Sequence, residues 1–288
     1  MNLNIVIPGN REINVEPRQS AQKLEEHLEK MQQTMIAFSG GVDSALLAFA
    51  AHRVLGERMV AVLADSASLS RREYRNALGF AQENSIPLQI IRTRELEDPS
   101  YQANQADRCY HCKKALFAKI EVLRKQLQGS RDIEPWQISY GVNVDDLGDY
   151  RPGIQAAREA SIQAPYLELG FSKQTIREVC AYYNLEIADK PAMPCMASRI
   201  AYGEKVTPEK LNQVEQAEDF LYDLGLRVLR VRHHGDTARI EVPLPDFETI
   251  LTHREEIRQK FHVLGFVYVA MDLDGFKSGS LNSVLKST

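Results

Sequence analysis

Residues 39–44, with the sequence Ser-Gly-Gly-Val-Asp-Ser, have the composition of a phosphate-binding loop. Two glycines let the backbone approach a ligand, and the helix predicted to follow offers free N–H groups and the positive end of its dipole. The hydroxyls of Ser39 and Ser44 add donors, and Asp43 can hold a divalent cation on a polyphosphate. Because the sequence lacks a Gly-x-x-x-x-Gly-Lys motif, this is not the usual loop of enzymes that cleave a γ-phosphate.

Three of the four cysteines could carry metal or sulfur chemistry. Cys109 and Cys112 form a Cys-x-x-Cys pair at the predicted start of a helix and are followed by two lysines. The helix dipole and these cations are expected to lower the pKa of both thiols. Cys195 lies in a loop much later in the chain. Cys180 shares a helical stripe with apolar residues, which predicts a position in the core.

Several roles are open to Cys109, Cys112 and Cys195: unrelated reduced thiols, a zinc site, a redox pair or a [4Fe–4S] cluster. A structural zinc ion needs four ligands, and His111 is the nearby residue that could complete the set. Three thiolates on a [4Fe–4S] cluster would leave one iron open to an exogenous sulfide. Beside a loop that could activate an oxygen for replacement, the cluster is the hypothesis that we favour.

A cluster of basic residues late in the chain could bind an anionic substrate; it consists of Arg227, Arg230, Arg232, His233, His234 and Arg239. On a strand, Arg230 and Arg232 would share one face, where they could grip a phosphate. The alternative is a solvated edge strand that its charges protect from pairing. Ser198 and Arg199, beside the third cysteine, are better candidates for the reacting end of a substrate. Lys113 either neutralises a phosphate or is an ordinary solvated lysine.

Length and composition indicate an ordinary globular protein. The 288 residues are enough for one large domain or two unequal ones, and the formal net charge of −4 gives no reason to expect a nucleic-acid partner. The longest apolar run, residues 45–51, is too short to cross a bilayer, and the first residues lack the pattern of a secretion signal. Four cysteines are too few for a disulfide scaffold. We therefore expect a cytoplasmic protein that acts without a membrane.

Apolar segments alternate with helical patterns over the first 200 residues, which predicts a parallel sheet with helices on both faces. The predicted strands are residues 35–38, 59–64, 87–91 and 137–140, and the predicted helices are residues 21–30, 44–55, 70 onward and 112–127. The later pattern predicts a helix over 207–224, paired strands over 227–233 and 237–242, a helix over 246–264 capped by Asp246, and a strand over 266–273. We predict an extension (1–20), an α/β nucleotide domain (21–200) and a small α+β domain (201–288).

The phosphate loop in this setting resembles that of the PP-loop ATP pyrophosphatases, which have the adenine-nucleotide α-hydrolase fold. Members of that group adenylate a substrate oxygen and release pyrophosphate. The resemblance implies ATP and Mg²⁺ as ligands, with Asp43 on the metal and adenosine beyond the second and fourth strands. The ATP-binding residues that it implies are Phe38, Ser39, Gly40, Gly41, Asp43, Ser44, Asp65, Ser66 and Gly141.

From about residue 24 to residue 279 the chain resembles the LarE family of ATP-dependent sulfur transferases. Beyond the phosphate loop, the motifs that carry this resemblance are Asp149-Tyr150-Arg151-Pro152-Gly153, Ala197-Ser198-Arg199 with Tyr202-Gly203, Arg230-Val231-Arg232, and residues 272–279. The family makes the nickel-pincer cofactor precursor. The resemblance implies that ATP adenylates the carboxylates of pyridinium-3,5-dicarboxylate mononucleotide and that sulfur then replaces oxygen.

The LarE family has two kinds of member, and the cysteines distinguish them. One kind sacrifices the sulfur of a single cysteine, whose position here is occupied by Pro194; the other binds a [4Fe–4S] cluster through three cysteines that resemble Cys109, Cys112 and Cys195. The resemblance implies catalytic roles for these three cysteines and for Asp43, Ser198 and Arg199. It implies substrate-phosphate contacts at Lys113, Arg230 and Arg232, and an acidic metal or subunit site at Glu218 and Asp246. It also implies a homo-oligomer, a trimer or hexamer.

Three other functions compete with this one. A tRNA thiolase of the same superfamily would need an RNA-binding appendage or a broad basic surface, and the net charge of −4 indicates neither. A sacrificial-cysteine transferase would need no cluster. A nucleotide-binding regulatory module would not need Asp43 together with three separately placed cysteines. The source of the sulfide is open.

Overall fold

Four parallel strands form the sheet that carries the phosphate loop. The computed structural model describes residues 17–128, 135–148 and 152–277. The strands are β1 (Thr34–Phe38), β2 (Met59–Asp65), β3 (Leu88–Arg92) and β4 (Gln137–Tyr140). Their order across the sheet is β3-β2-β1-β4, and every neighbouring pair is parallel. The predicted α/β fold is confirmed.

The register brings the ends of three strands to one edge of the sheet. Phe38 of β1 pairs with Leu63 of β2, and Ala37 pairs with Tyr140 of β4. All of β1 is buried, as a central strand covered on both faces must be. Because ligands bind beyond the carboxyl ends of parallel strands, the loops that follow β1, β2 and β4 form one candidate binding edge.

Helices cover both faces of this sheet, as the sequence predicts. They are α1 (Pro17–Glu29), α2 (Val42–Leu55), α3 (Arg71–Glu83), α4 (Pro99–Gln102), α5 (Arg108–Gln128), α6 (Pro152–Glu159), α7 (Pro165–Leu169) and α8 (Lys173–Tyr182). Ile36 and Phe38 pack with α1, α2 and α8, whereas Met35 and Ala37 face α5 and α6. Cys180 of α8 is fully buried in the first of these cores, which confirms its predicted position.

A second, three-stranded sheet follows in the chain. It contains β5 (Arg230–His234), β6 (Thr237–Glu241) and β7 (Tyr268–Met271), in the order β5-β6-β7, and only the β5–β6 pair is antiparallel. The accompanying helices are α9 (Pro208–Asp223), α10 (Phe247–Thr252) and α11 (Arg254–Val263). The start of α9 is as predicted, because the Thr207 hydroxyl accepts from the Lys210 N–H at 3.3 Å and Pro208 is the first helical residue.

Three predicted helix boundaries are wrong. The single helix expected over 246–264 is two helices that meet at His253, and Asp246 makes no side-chain cap within the described chain, its own backbone being helical (φ −88°, ψ −2°). Helix α1 begins at Pro17 rather than residue 21, because proline fits the first turn of a helix. Helix α5 begins at Arg108, so both Cys109 and Cys112 lie inside its first two turns.

Several predictions fall outside the described residues. These are most of the extension, the Asp149-Tyr150-Arg151 part of one motif, and Ser278-Gly279 of another. The predicted division near residue 200 stays a prediction. Among the described residues, no helix has the length and apolar character that a membrane span requires.

The loop between β1 and α2 supplies a test of the fold, because Gly40 combines a left-handed backbone (φ +73°) with close contact to α3. A Cβ at Gly40 would lie 2.7 Å from the Cβ of Ala77, whereas Gly170 (φ +69°, ψ +29°), which is also left-handed, has no atom within 4 Å of its own Cβ position. Gly170→Ala should cost about 1 kcal/mol for its backbone conformation. Gly40→Ala should cost a further 1 to 3 kcal/mol, roughly, for the clash.

Urea denaturation of both variants measures this difference. Equal losses of free energy of unfolding in Gly40→Ala and Gly170→Ala would show that α3 moves freely away from the loop.

Candidate active site

The phosphate loop is closed by hydrogen bonds between its own serines. The Ser39 and Ser44 hydroxyl oxygens are 3.1 Å apart, and the Ser44 hydroxyl also donates to the Gly41 carbonyl at 3.1 Å. Within the described chain, no side chain caps the start of α2, where Gly41 is the N-cap residue. The first N–H groups and the positive dipole end of a buried helix therefore face the loop, as an anion site requires.

The end of β4 supports the loop from below. Gly141 follows β4 so closely against α2 that a Cβ there would lie 2.9 Å from the Asp43 carbonyl carbon. The amide of Asn143 donates to the Asp43 carboxylate at 3.4 Å, and the Tyr166 hydroxyl donates to the Asp43 carbonyl at 2.9 Å. Asp43 is therefore held at both its backbone and its side chain.

Two lysines that the sequence analysis missed face the phosphate loop. Lys173, the first residue of α8, forms an ion pair with Asp43. Lys190 donates to the Gly40 carbonyl at 2.9 Å and pairs with Glu73 at 2.8 Å. Little in the sequence indicates these roles. Lys173 stands at the start of a helix, and Lys190 precedes the loop that contains Cys195. In the folded chain both ammonium groups lie beside the phosphate loop.

The end of β2 opens onto a cavity of about 280 Å³ that reaches α9. Its lining includes Asp65, Ser66, Arg71, Pro208, Asn212 and Glu215. Asp65 pairs with Arg71 at 2.7 Å, and the Arg71 N–H donates to the Glu215 carboxylate. Next to it, Arg72 pairs with Asp219 of α9 at 2.9 Å and lies over the ring of Tyr222. Of the predicted adenosine contacts, Asp65 and Ser66 therefore lie at a junction between α3 and α9, whereas Gly141 lies against Asp43.

The three candidate cysteines influence one another electrostatically. Cys109 and Cys195 are exposed and Cys112 is half-buried. Loss of solvent around the sulfur is the main cause of the raised pKa of Cys109 and of Cys112, and the charge of Cys195 is the second cause in both. Together these effects raise the pKa of Cys112 to about 12. The expected lowering of both thiol pKa values is wrong, because the loss of solvent and the third thiol outweigh Lys113. Contacts bring the three thiols into one region: Cys112 packs against the apolar cluster that contains Met196, the residue after Cys195, and Arg108, next to Cys109, donates to the Ala197 carbonyl.

Within the described chain, the thiol region forms no site for a single metal ion. Among residues 17–128, 135–148 and 152–277, no three His, Cys, Asp or Glu side chains converge on the position of a single metal ion. A [4Fe–4S] cluster makes no such demand, because each thiolate binds a different iron. Thiols that raise one another's pKa become stable thiolates when a cation binds them, so the donor set fits such a cluster. His111, the residue of the zinc alternative, pairs with Asp98 at 3.5 Å and Asp107 at 3.3 Å.

Arginine side chains fix the backbone around Cys195. The Arg199 guanidinium donates to the Pro194 carbonyl and, at 3.1 Å, to the Cys195 carbonyl. The Ser198 hydroxyl donates to the same Cys195 carbonyl at 2.7 Å. Arg108 donates to the Ala197 carbonyl at 2.8 Å.

The same segment is also tied to the sheet edge. The Met196 N–H donates to the Ser68 carbonyl at 2.8 Å, in the loop that follows β2. At the other end of the segment, the Lys190 ammonium contacts the phosphate loop at the Gly40 carbonyl. Residues 190–199 therefore run from the phosphate loop to the thiols.

Glu218 of α9 is buried. Its carboxylate accepts from Arg199 at 2.9 and 3.0 Å and from the Val231 N–H at 3.0 Å. Burial alone would lower the pKa of Arg199, but contact with Glu218 and the nearness of Cys195 raise it. The carboxylate is occupied by this pair, and the acidic site predicted for Glu218 with Asp246 stays a prediction.

Arg230 and Arg232 are buried on β5, so the alternative of a solvated edge strand is wrong. Arg232 pairs with Glu241 at 2.8 Å and donates to the Ser198 carbonyl at 2.9 Å. Arg230 donates to the Ala192 carbonyl at 2.7 Å, and burial, followed by the charge of Arg199, lowers its pKa to about 10. Lys113 is half-buried, with its ammonium 5.9 Å from the centre of the Phe117 ring. Phosphate binding by these three cations stays a prediction.

Known proteins resemble the chain over most of its length. A family profile described as NAD synthase matches residues 17–120, which include the phosphate loop. The uncharacterized protein slr1717 of Synechocystis sp. is 41% identical over 92% of this chain and 97% of its own length. The pyridinium-3,5-bisthiocarboxylic acid mononucleotide synthase of Lactiplantibacillus plantarum is 32% identical over 90% of this chain and 92% of its own. The uncharacterized protein MJ0830 of Methanocaldococcus jannaschii is 29% identical, over 86% and 92% respectively.

The buried Arg199–Glu218 pair predicts a large loss of stability when one partner is neutralised. Glu218→Gln leaves the Arg199 guanidinium in the interior without its counter-charge, so the free energy of unfolding should fall by about 3 to 5 kcal/mol. The matched control is Glu255→Gln, which breaks an exposed pair with Arg258 and should leave the urea midpoint unchanged. A loss below about 1 kcal/mol in Glu218→Gln would show that water reaches Arg199.

Proposed function

The chain belongs to the LarE family of PP-loop proteins, and from that membership and the geometry of the site we propose that it is an ATP-dependent sulfur transferase. Its proposed substrate is pyridinium-3,5-dicarboxylate mononucleotide, whose carboxylates it converts to thiocarboxylates. The name of the Lactiplantibacillus plantarum relative, 32% identical to this chain, supports that substrate and product. The reaction divides into activation of a carboxylate and delivery of sulfur, and different residues serve each half.

The first half takes place at the phosphate loop. A carboxylate oxygen of the substrate attacks the α-phosphorus of ATP, the bond to pyrophosphate breaks, and the carboxylate becomes an acyl adenylate. The N-terminus of α2 and the Ser39 and Ser44 hydroxyls bind the phosphates. When ATP binds, the Lys173 ammonium leaves the Asp43 carboxylate and contacts a phosphate oxygen. The Asp43 carboxylate then becomes available to bind Mg²⁺. Lys190 adds a second cation to the departing pyrophosphate.

The second half takes place at the thiols. Cys109, Cys112 and Cys195 would hold a [4Fe–4S] cluster, which supplies a sulfur nucleophile when it is bound. The Ser198 hydroxyl and the Arg199 guanidinium fix the Cys195 carbonyl, so they position the third thiol. Sulfur attacks the acyl carbon and AMP leaves with its bonding electrons. Splitting the replacement of oxygen in this way turns one difficult displacement into two easier ones.

The observation that carries the proposal is the path of residues 190–199. Lys190 contacts the phosphate loop at the Gly40 carbonyl, and Cys195 follows five residues later. An extended chain spans about 3.6 Å per residue, so the two α-carbons are at most about 18 Å apart. A mononucleotide with its activated carboxylate can bridge that separation. Arg230 and Arg232, which hold the same segment through Ala192 and Ser198, are proposed to meet the substrate phosphate.

Anaerobic incubation with ATP, Mg²⁺, sulfide and the dicarboxylate mononucleotide tests the proposal. We expect one AMP and one pyrophosphate for each thiocarboxylate formed, and several products per protein chain. Product that stops at one sulfur per chain, with loss of a cysteine sulfur by mass spectrometry, would establish the sacrificial route instead. Pyrophosphate release without any thiolated product would reject this substrate.

Three cysteines are assigned to the metal centre and Cys180 to the core, and this assignment predicts two classes of variant. Cys109→Ala, Cys112→Ala and Cys195→Ala should each abolish multiple turnover and the retention of iron after anaerobic reconstitution. Cys180→Ala is the control, because its thiol lies in the core: it should keep turnover and lose about 1 kcal/mol of stability. If Cys180→Ala lost activity while the other three variants kept it, the assignment of the four cysteines would be wrong.

The phosphate loop predicts separate effects for its carboxylate and its lysine. Asp43→Asn should lower pyrophosphate release at least tenfold at saturating ATP, because Mg²⁺ loses a charged ligand. Lys173→Met should raise the KM for ATP about tenfold, the equivalent of roughly 1.4 kcal/mol for one lost charge-assisted contact. Lys125→Met, which breaks an exposed pair with Glu121 on α5, is the control and should change neither value. Normal release by Asp43→Asn would remove Asp43 from the metal site.

A further inference from the structure

The cavity between the end of β2, α3 and α9 combines apolar surface with hydrogen-bonding groups. Its volume of about 280 Å³ lies just below the range of roughly 300 to 1,000 Å³ that is typical of small-molecule sites. Ala67, Pro208 and Leu211 supply apolar surface, and α9 adds the polar side chains of Asn212 and Glu215. A nucleotide base needs both kinds of contact, because its ring faces are apolar and its edges form hydrogen bonds.

The cavity lies at a distance from the phosphate loop that one nucleotide can span. Ala77 of α3 lies against Gly40 of the loop, and Arg71, the first residue of the same helix, lines the cavity. A helix rises about 1.5 Å per residue, so these two positions on α3 are about 9 Å apart along its axis. Lys190 joins the first turn of α3 to the loop, since it pairs with Glu73 at 2.8 Å and donates to the Gly40 carbonyl at 2.9 Å. Because the ribose separates base and phosphates by a comparable length, a base can occupy the cavity while its phosphates occupy the loop.

Most polar side chains around the cavity already have partners. Asp65 pairs with Arg71 at 2.7 Å, and the Ser66 hydroxyl accepts from a backbone N–H of its own loop at 3.1 Å. The Glu215 carboxylate accepts from the Arg71 N–H. Asn212 differs from them: its side chain is exposed, and its amide forms no hydrogen bond with any residue that the structure describes. Its donor and its acceptor are therefore both available to a ligand.

Ion pairs and hydrogen bonds fix the part of α9 that carries Asn212. Glu215, one turn further along the helix and on the same side, binds the first N–H of α3 at Arg71. In the next turn, Asp219 pairs with Arg72 at 2.9 Å. Moving α9 away from the cavity would break both contacts, so the Asn212 amide is held at the cavity wall before a ligand enters.

We propose that Asn212 recognises the nucleotide base and makes the site selective for adenine over guanine. This inference rests on the proposed function for the use of ATP. At its N7 edge adenine presents a donor, the 6-amino group, beside an acceptor, N7, and a carboxamide matches both at once. Guanine presents two acceptors at the same edge, so the Asn212 oxygen would face the guanine 6-oxygen without a proton between them. Glu215 is a positioning residue, because it acts by holding α9 in place.

Calorimetric titration of the full chain with Mg²⁺ and one nucleotide at a time tests this inference. The nucleotides are ATP, GTP and 7-deaza-ATP, in which carbon replaces N7. The carboxylate substrate is left out, so that no adenylate can form and binding alone is measured. Asn212→Ala is the test variant. Gln216→Ala is the matched control, since Gln216 carries the same carboxamide one turn further along α9 and is exposed, but does not line the cavity.

The wild type should bind ATP at least tenfold more tightly than GTP or 7-deaza-ATP, because neither of these offers both partners to the amide. Asn212→Ala should bind ATP about tenfold more weakly than the wild type does, and should bind all three nucleotides with about the same affinity. The loss of N7 should thus matter only when the Asn212 amide is present, which a purely structural effect of the substitution would not produce. Gln216→Ala should match the wild type in every titration.

Each other outcome has a separate meaning. If Asn212→Ala kept the preference for ATP, or if the wild type bound 7-deaza-ATP as tightly as ATP, the role of Asn212 would be overturned and the proposed function left intact. If selectivity depended on Asn212 but the complete reaction gave no thiolated product, the sulfur transferase would be rejected and this inference kept. A wild-type protein that binds none of the three nucleotides would overturn both proposals.

Discussion

Four guanidinium groups hold the irregular backbone of residues 190–199, and the candidate site depends on that restraint. Arg108, Arg199, Arg230 and Arg232 each donate to a carbonyl in this segment. Apart from the short 3₁₀ turn at Met196–Arg199, the segment has no regular secondary structure, so most of its carbonyls lack backbone donors, and buried carbonyls need donors. Arginine suits the task, because its planar fork presents several fixed donors and stays charged when buried. Because Arg199 and Arg232 are buried, Glu218 and Glu241 are buried with them as counter-charges.

The two ends of this segment have opposite electrostatic requirements. At Lys190 the surroundings suit an anion, since the start of α2, Lys173 and Lys190 itself all present positive charge. At Cys195 the surroundings suit a cation, since the three thiols lie in one region. A protein that transfers sulfur to an activated carboxylate needs both environments close together but not merged, because a cation bound among the thiols would otherwise compete for the phosphates.

Much of the fold could be predicted from local patterns, and the reasons are physical. The apolar run before residue 39 and the Gly-Gly that follows it predict β1 and its turn, because burial on both faces leaves a continuous hydrophobic signature. The capped start of α9 was likewise visible in Thr207 and Pro208. The break at His253 was not, because a regular apolar stripe on both sides of it carries no mark of an interruption.

The candidate site was less predictable, because its character depends on pairing across long stretches of chain. Glu218 looks like an ordinary residue on the surface of a helix until Arg199 is known to contact it. The thiol pKa values were predicted in the wrong direction, since the helix start and Lys113 are local whereas the loss of solvent is a tertiary effect. Lys173 is marked in the sequence only as the start of a helix, and the folded chain shows that it faces Asp43.

Helix α9 links the two sheets more tightly than their separate topologies suggest. Through Glu215 and Asp219 it holds the beginning of α3, and through Glu218 it neutralises Arg199. A fragment cut after residue 200 would keep every strand of the larger sheet, yet it would leave Arg72 without its main ion-pair partner and Arg199 as an uncompensated interior charge. Helix α9 therefore stabilises elements around both sheets, and we expect the chain to melt as a single cooperative unit.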